Sequence, residues 1–148
     1  MLSPLLVGLT VTLCTIIIHA LIIGIVIRLV RRDLQLGRVG VWFFTDVIFV
    51  TSVTLTVFAA HLAEVGLWAL TLELCGEFST FAAAYYHSAV NYTTLGDSAF
   101  VMSARWRLLG ALEAGDGMLM FGVSTAVIFA VIQRLLHQRY GDTKATMR

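Results

Sequence analysis

The sequence predicts an all-α membrane protein that crosses the bilayer three times. Three observations carry that expectation. Of the 148 residues, 59% are hydrophobic and 13% charged, against about 45–50% and about 25% for a soluble domain. Apolar stretches long enough to span recur three times along the chain. Eight of the ten basic side chains fall in two clusters, one after the first stretch and one after the last. The net charge of +1 supplies no basic footprint, so no nucleic-acid partner is expected.

The first stretch, Leu5 to Ile27, runs 23 residues without a charge. At 1.5 Å per residue it reaches roughly 34 Å, enough for a hydrocarbon core of about 30 Å. Met1-Leu2-Ser3 carries no positive side chain, which argues against a cleaved signal peptide. Residues 1–33 are therefore read as an additional N-terminal transmembrane helix. The second stretch runs from Val41 to about Leu72, with an uncharged middle from Val47 to Ala60. Trp42, Phe43 and Phe44 suit one membrane interface and Trp68 the other. The third runs from Leu108 to Ile132 and ends at Gln133-Arg134. It carries Glu113 and Asp116, three residues apart and so on one face.

Basic residues set the orientation. Arg28, Arg31, Arg32 and Arg38 follow the first span, and Arg134, Arg139, Lys144 and Arg148 follow the last. The positive-inside rule then puts the 28–40 loop and the short tail, 137–148, in the cytoplasm of an inner (plasma) membrane. The N-terminus lies outside, and Glu73 to Trp106 lies on the outer side. Six of the nine acidic residues, Glu64, Glu73, Glu77, Asp97, Glu113 and Asp116, fall in this outward half.

Phe78 to Tyr92, FSTFAAAYYHSAVNY, has helical character but covers only about 22 Å, too short to cross. It is expected to be re-entrant. Thr93-Thr94-Leu95-Gly96-Asp97-Ser98 follows at once. Non-helical backbone at membrane depth survives only under protein cover or beside water. Span, short helix, polar strand and span together make the layout of a pore loop. The C-terminal dipole end of such a helix favours a cation.

At these residues the chain resembles the potassium-channel pore-domain superfamily in its small bacterial form. That pattern comprises an outer helix, a pore helix with an aromatic-Ser motif, a filter of the type T-T-x-G-Y-G-D and an inner helix. Tyr86-His87-Ser88 through Thr93-Thr94-Leu95-Gly96 follows it up to the first filter glycine. HLAEVGLWAL (His61 to Leu70), MSARWRLLGALEA (Met102 to Ala114) and FGVSTA (Phe121 to Ala126) are also similar to bacterial members. The resemblance covers residues 41–136. It implies a homotetramer in membrane lipid, because one loop supplies only a quarter of each ring of ion-binding carbonyls. It implies ion-binding filter residues Thr93, Thr94, Leu95, Gly96, Asp97 and Ser98, with His87 and Asn91 of the pore helix supporting them. Glu113 and Asp116, as intramembrane carboxylates, are read as further filter support, the alternatives being contact with Arg105 and Arg107 or with interfacial water.

The departure falls at the filter itself, where Asp97-Ser98-Ala99 replaces the family's Tyr-Gly-Asp. Leu95-Gly96-Asp97 is similar to the NaK-type channels that conduct both sodium and potassium, whose pattern is T-V-G-D-G. A selective filter stacks carbonyl rings that replace the hydration shell of potassium. Gly96 keeps the lower positive-φ position, whereas Ser98 resists it at the upper one. Fewer ordered rings imply poor discrimination between Na+ and K+. His87 and Asp97 replace an aromatic pair of the family. Either they hydrogen-bond across the subunit interface, or His87 merely faces a polar gap behind the pore helix.

Other features carry less. His61, Glu64 and Trp68 share one face by spacing, and a His-Glu pair can bind metal, but two ligands on one helix are not a site. Packing of the outer helix on the pore helix is the reading preferred for them. Gly115, Gly117 and Gly122 permit close helix packing. Cys14 and Cys75 differ in depth, against an intramolecular disulfide. A lipid-modifying enzyme would need a carboxylate or metal cluster at a membrane face, and cytoplasmic Asp33, Asp46 and Asp142 are widely separated. The expectation is a non-enzymatic cation channel with no cofactor and no metal beyond permeant K+ and Na+. The alternatives are a potassium-selective channel and a non-conducting membrane scaffold or sensor.

Overall fold

The computed structural model describes residues 2–39, 42–96 and 101–145, with side chains as far as Arg139 in the last segment. All of its regular structure is helical: α1 (Leu2–Gln35), α2 (Phe43–Leu74), α3 (Phe81–Tyr92) and α4 (Arg107–Ala145). α1, α2 and the stretch Arg107–Arg139 of α4 are each long and apolar enough to cross a membrane. Together they make this a membrane-embedded chain.

The spanning helices outrun the apolar stretches that announce them, because a helix does not stop where the lipid does. α1 begins before Pro4, which sits in the first turn where a missing N–H costs nothing. It continues through Arg28–Asp33 to Gly37, whose φ of +61° closes it. α4 likewise passes Gln133-Arg134 and runs to Ala145. In α2 the exposed hydroxyls of Ser52, Thr54 and Thr56 each donate to the carbonyl four residues back, at 2.8–2.9 Å. Polar side chains satisfied within their own helix are tolerable toward lipid.

α3 starts three residues later than its apolar stretch. Thr80 takes an extended backbone and its hydroxyl accepts the Ala83 N–H at 3.4 Å, capping a helix of 12 residues. Its length is about 18 Å.

The chain divides into two units. One comprises Met1–His19 with Ala60–Gly122, and the other Ala20–Ala59 with Val123–Arg148. The core of the first is built from Val11, Val65, Trp68, Leu72, Tyr92, Leu109 and Met120. On α1 its buried positions are Pro4, Gly8, Val11, Thr15 and His19, a stripe at three- and four-residue spacing. Valines dominate the core of the second: Val26, Val30, Val39, Val53, Val57 and Val131, with Leu135. In that unit Arg139 lies 3.5 Å from Asp46 and over the ring of Phe43. Trp42, Phe43 and Phe44 are exposed.

α3 is inserted between α2 and α4 of the first unit. The hydroxyl of Tyr92, its last residue, reaches Glu64, ten residues before the end of α2. Its carbonyl lies against Gly117, ten residues after the start of α4, so closely that a Cβ there would overlap it. Ten residues correspond to about 15 Å along each helix.

Candidate functional site

The segment after α3 is the first of two polar features. Thr93 caps the helix, and its hydroxyl donates to the Ala89 carbonyl at 2.7 Å. The Thr94 N–H then bonds to Asn91 O at 2.8 Å and the Leu95 N–H to Val90 O at 3.0 Å, the pair of bonds of a Schellman motif. The same motif ends α1 at Gly37 and α2 at Gly76, where a glycine holds the left-handed position. At the end of α3 that position is Thr94, with φ +59°.

A β-branched residue in this conformation costs about 1–2 kcal/mol. Thr94→Gly is expected to raise the unfolding free energy by about 1 kcal/mol, as read by chemical unfolding in detergent. An unchanged or lowered stability would show that the turn is not strained. Gly96, at φ +70°, takes the left-handed conformation expected of it. Residues 93–96 are all exposed. Asp97 and Ser98, the other two expected filter residues, lie outside the described residues, and so does any His87–Asp97 hydrogen bond.

Of the four expected supporting residues, the structure brings three together. His87 is buried on α3 with its ring 4.8 Å from that of Phe78. Asn91, one turn on, donates from Nδ2 to His87 Nε2 at 2.9 Å and reaches Glu113 Oε2 at 3.5 Å. Glu113 is fully buried, and among the described residues its Oε1 has no hydrogen-bond partner. Asp116 belongs elsewhere. Its Oδ2 accepts from the Thr15 hydroxyl of α1 at 2.7 Å and from the Trp68 indole N–H of α2 at 2.9 Å.

The second feature is a buried cluster that spacing alone half reveals. Glu64 is completely buried. Its Oε1 lies 2.7 Å from His19 Nδ1, and its Oε2 lies 3.2 Å from His61 Nδ1. Tyr92 donates its hydroxyl to the same Oε2. The His19 and His61 rings are 5.1 Å apart, and Phe121 lies 4.5 Å from the His61 ring.

His61 and Glu64 are legible as a pair on one helix, but His19 is the residue that sequence reasoning passes over. Histidine is not counted among the charged residues, so the first apolar run reads as charge-free. The available signal was the rule that an ionisable residue inside a membrane helix has a partner.

At the outer edge of the unit, Ser103 donates its N–H and its hydroxyl to the two oxygens of Glu77, at 2.7 and 2.6 Å. That pair ties the segment after residue 100 to the turn before α3. Neither cysteine is in a disulfide. Burial and the charge of Glu77 push the Cys75 thiol up against the opposing pull of Arg105, which keeps it protonated near neutral pH.

Comparison with protein-family profiles, curated proteins and solved structures returns no match for this chain. The class of the molecule therefore follows from its helices alone: an all-helical membrane protein with one short helix set among three long ones.

Proposed function

We propose that four copies of the chain assemble around a common axis in the plasma membrane and pass monovalent cations. In this reading α3 is the pore helix, and the carbonyls of Thr93 to Gly96 form the rings that hold the ion. Asp97 and Ser98 widen the outer end into a vestibule of poor selectivity between Na+ and K+. The basic clusters Arg28 to Arg38, around the end of α1, and Arg134 to Arg148, around the end of α4, face the cytoplasm, and the N-terminus lies outside.

One observation carries most weight. α3 ends beside residues about 15 Å inside both α2 and α4, and the backbone that follows is non-helical and exposed. Non-helical backbone at membrane depth needs either water or protein against it, and a central water-filled axis would supply the first. The C-terminal dipole end of α3 adds a negative field at the same point. Strain at Thr94 fits a segment whose conformation serves a site rather than the stability of the single chain.

Purified protein in liposomes is expected to release both potassium and sodium when either gradient is imposed. A reversal potential that follows potassium alone would replace the non-selective reading with a potassium-selective one. Absence of flux from both the wild type and the Asp97→Tyr/Ser98→Gly variant would leave a non-conducting membrane scaffold.

A further inference from the structure

We propose that His19, His61 and Glu64 form a binding site for a divalent transition metal of the zinc class, with Tyr92 orienting the carboxylate. The three side chains come from two helices and are all buried, and their donor atoms lie within 4.8 Å of one another. Zinc bonds nitrogen and oxygen at about 2.0–2.2 Å, which puts tetrahedral neighbours roughly 3.4 Å apart. The separations of 2.7 Å for His19–Glu64 and 3.2 Å for His61–Glu64 are both shorter than that value, the second by about 0.2 Å. Admitting an ion requires the two imidazoles to move outward from Glu64, toward the zinc spacing.

Ligand type selects the metal. Two imidazole nitrogens and one carboxylate suit zinc and its first-row neighbours, whereas magnesium and calcium prefer oxygen alone. Three protein ligands leave the fourth tetrahedral position for water. Tyr92 completes the arrangement as a hydrogen-bond donor to Glu64, the outer partner that ligating carboxylates require.

Charge gives an independent reason for a cation here. Glu64, Glu113 and Asp116 are all buried in the same unit, and among the described residues no lysine or arginine pairs with any of them. Buried carboxylates are paired or bind metal, and the polar groups gathered on Glu64, two imidazoles and a phenol, include the nitrogen donors a metal takes. A divalent ion on Glu64 neutralises that carboxylate and offsets the other two. It also ties the first half of α1 to α2. The site lies within one chain, so it is independent of assembly and of ion conduction.

The test uses the purified full-length chain in detergent micelles, dialysed against Zn2+ or Co2+ with excess Mg2+ present. One Zn2+ per chain is expected, unaffected by Mg2+, together with a rise in the unfolding temperature. His19→Gln and His61→Gln keep an N–H for Glu64 and are expected to lose both effects. Tyr92→Phe is expected to weaken binding about tenfold, and His137→Gln to leave it unchanged. X-ray absorption at the zinc edge of the wild type needs no variant to fold: nitrogen and oxygen neighbours support the site. Sulfur neighbours, which would place the metal on a cysteine, overturn it. So does a wild type that takes up no Zn2+, or a pair of glutamine variants that bind it as tightly as the wild type.

Discussion

Replacing Glu64 by alanine is expected to destabilise the folded chain by about 3–5 kcal/mol. The carboxylate collects His19, His61 and Tyr92 in a space closed to water. Its removal takes away the acceptor shared by three buried side chains, at about 1–3 kcal/mol each before relaxation, part of which the 3.2 Å contact between His61 Nδ1 and the Tyr92 hydroxyl recovers. Chemical unfolding in mixed micelles, followed by far-ultraviolet circular dichroism, measures the loss. Glu64→Gln, which retains an acceptor oxygen, is expected to lose less than half as much. A loss below about 1 kcal/mol in the alanine variant would mean that the histidines and the tyrosine find other partners. The cluster would then not be what holds α1, α2 and α3 together.

Gly117→Ala is the second large effect. The added Cβ overlaps the Tyr92 carbonyl, a backbone atom fixed by α3 and by the Tyr92–Glu64 bond. Helix propensity favours alanine by about 1 kcal/mol, but overpacking against backbone costs about 1–3 kcal/mol, so a net loss of stability is expected. The displaced atom is the one immediately before Thr93. If the chain conducts as proposed, cation flux in liposomes is therefore expected to fall severely. Gly115→Ala, where a Cβ meets nothing within 4 Å, supplies the control and is expected to be neutral or stabilising. Unchanged stability and flux in Gly117→Ala would show that α3 can shift without consequence for the segment it precedes.

Much of the architecture was legible because bilayer physics writes itself in one dimension. A charge-free run marks α1, long apolar runs with few charges mark α2 and α4, and a run too short to cross marks α3. The helix ends were less legible. Nothing between Arg28 and Gln35 breaks a helix, so α1 continues past its apolar stretch to the Gly37 turn. Thr80 captures the N–H of Ala83 and so fixes the start of α3 inside a segment that looks helical from Phe78.

The site divides in the same way. Gly96 announces its left-handed backbone, whereas Thr94 adopts one that its side chain argues against. Glu113 and Asp116, three residues apart, point on average to one face. Yet about 60° of rotation between them is enough to send one to Asn91 and the other to Thr15 and Trp68. The His19–Glu64 contact spans 45 positions of sequence. No local pattern encodes a pairing of that range, which only the packing of α1 on α2 creates.

The bond from Thr15 to Asp116 bears on how the chain enters the membrane. Translation delivers α1 and α2 before α4, and an aspartate inside a lone membrane helix costs about 2.5–3.5 kcal/mol to insert. When α4 arrives, the Thr15 hydroxyl and the Trp68 indole are already in the bilayer, on helices that came earlier. The last helix thus inserts onto a polar seat prepared for its carboxylate. In the folded chain the N-terminal helix thereby supplies one of the two hydrogen bonds that offset the burial of that carboxylate.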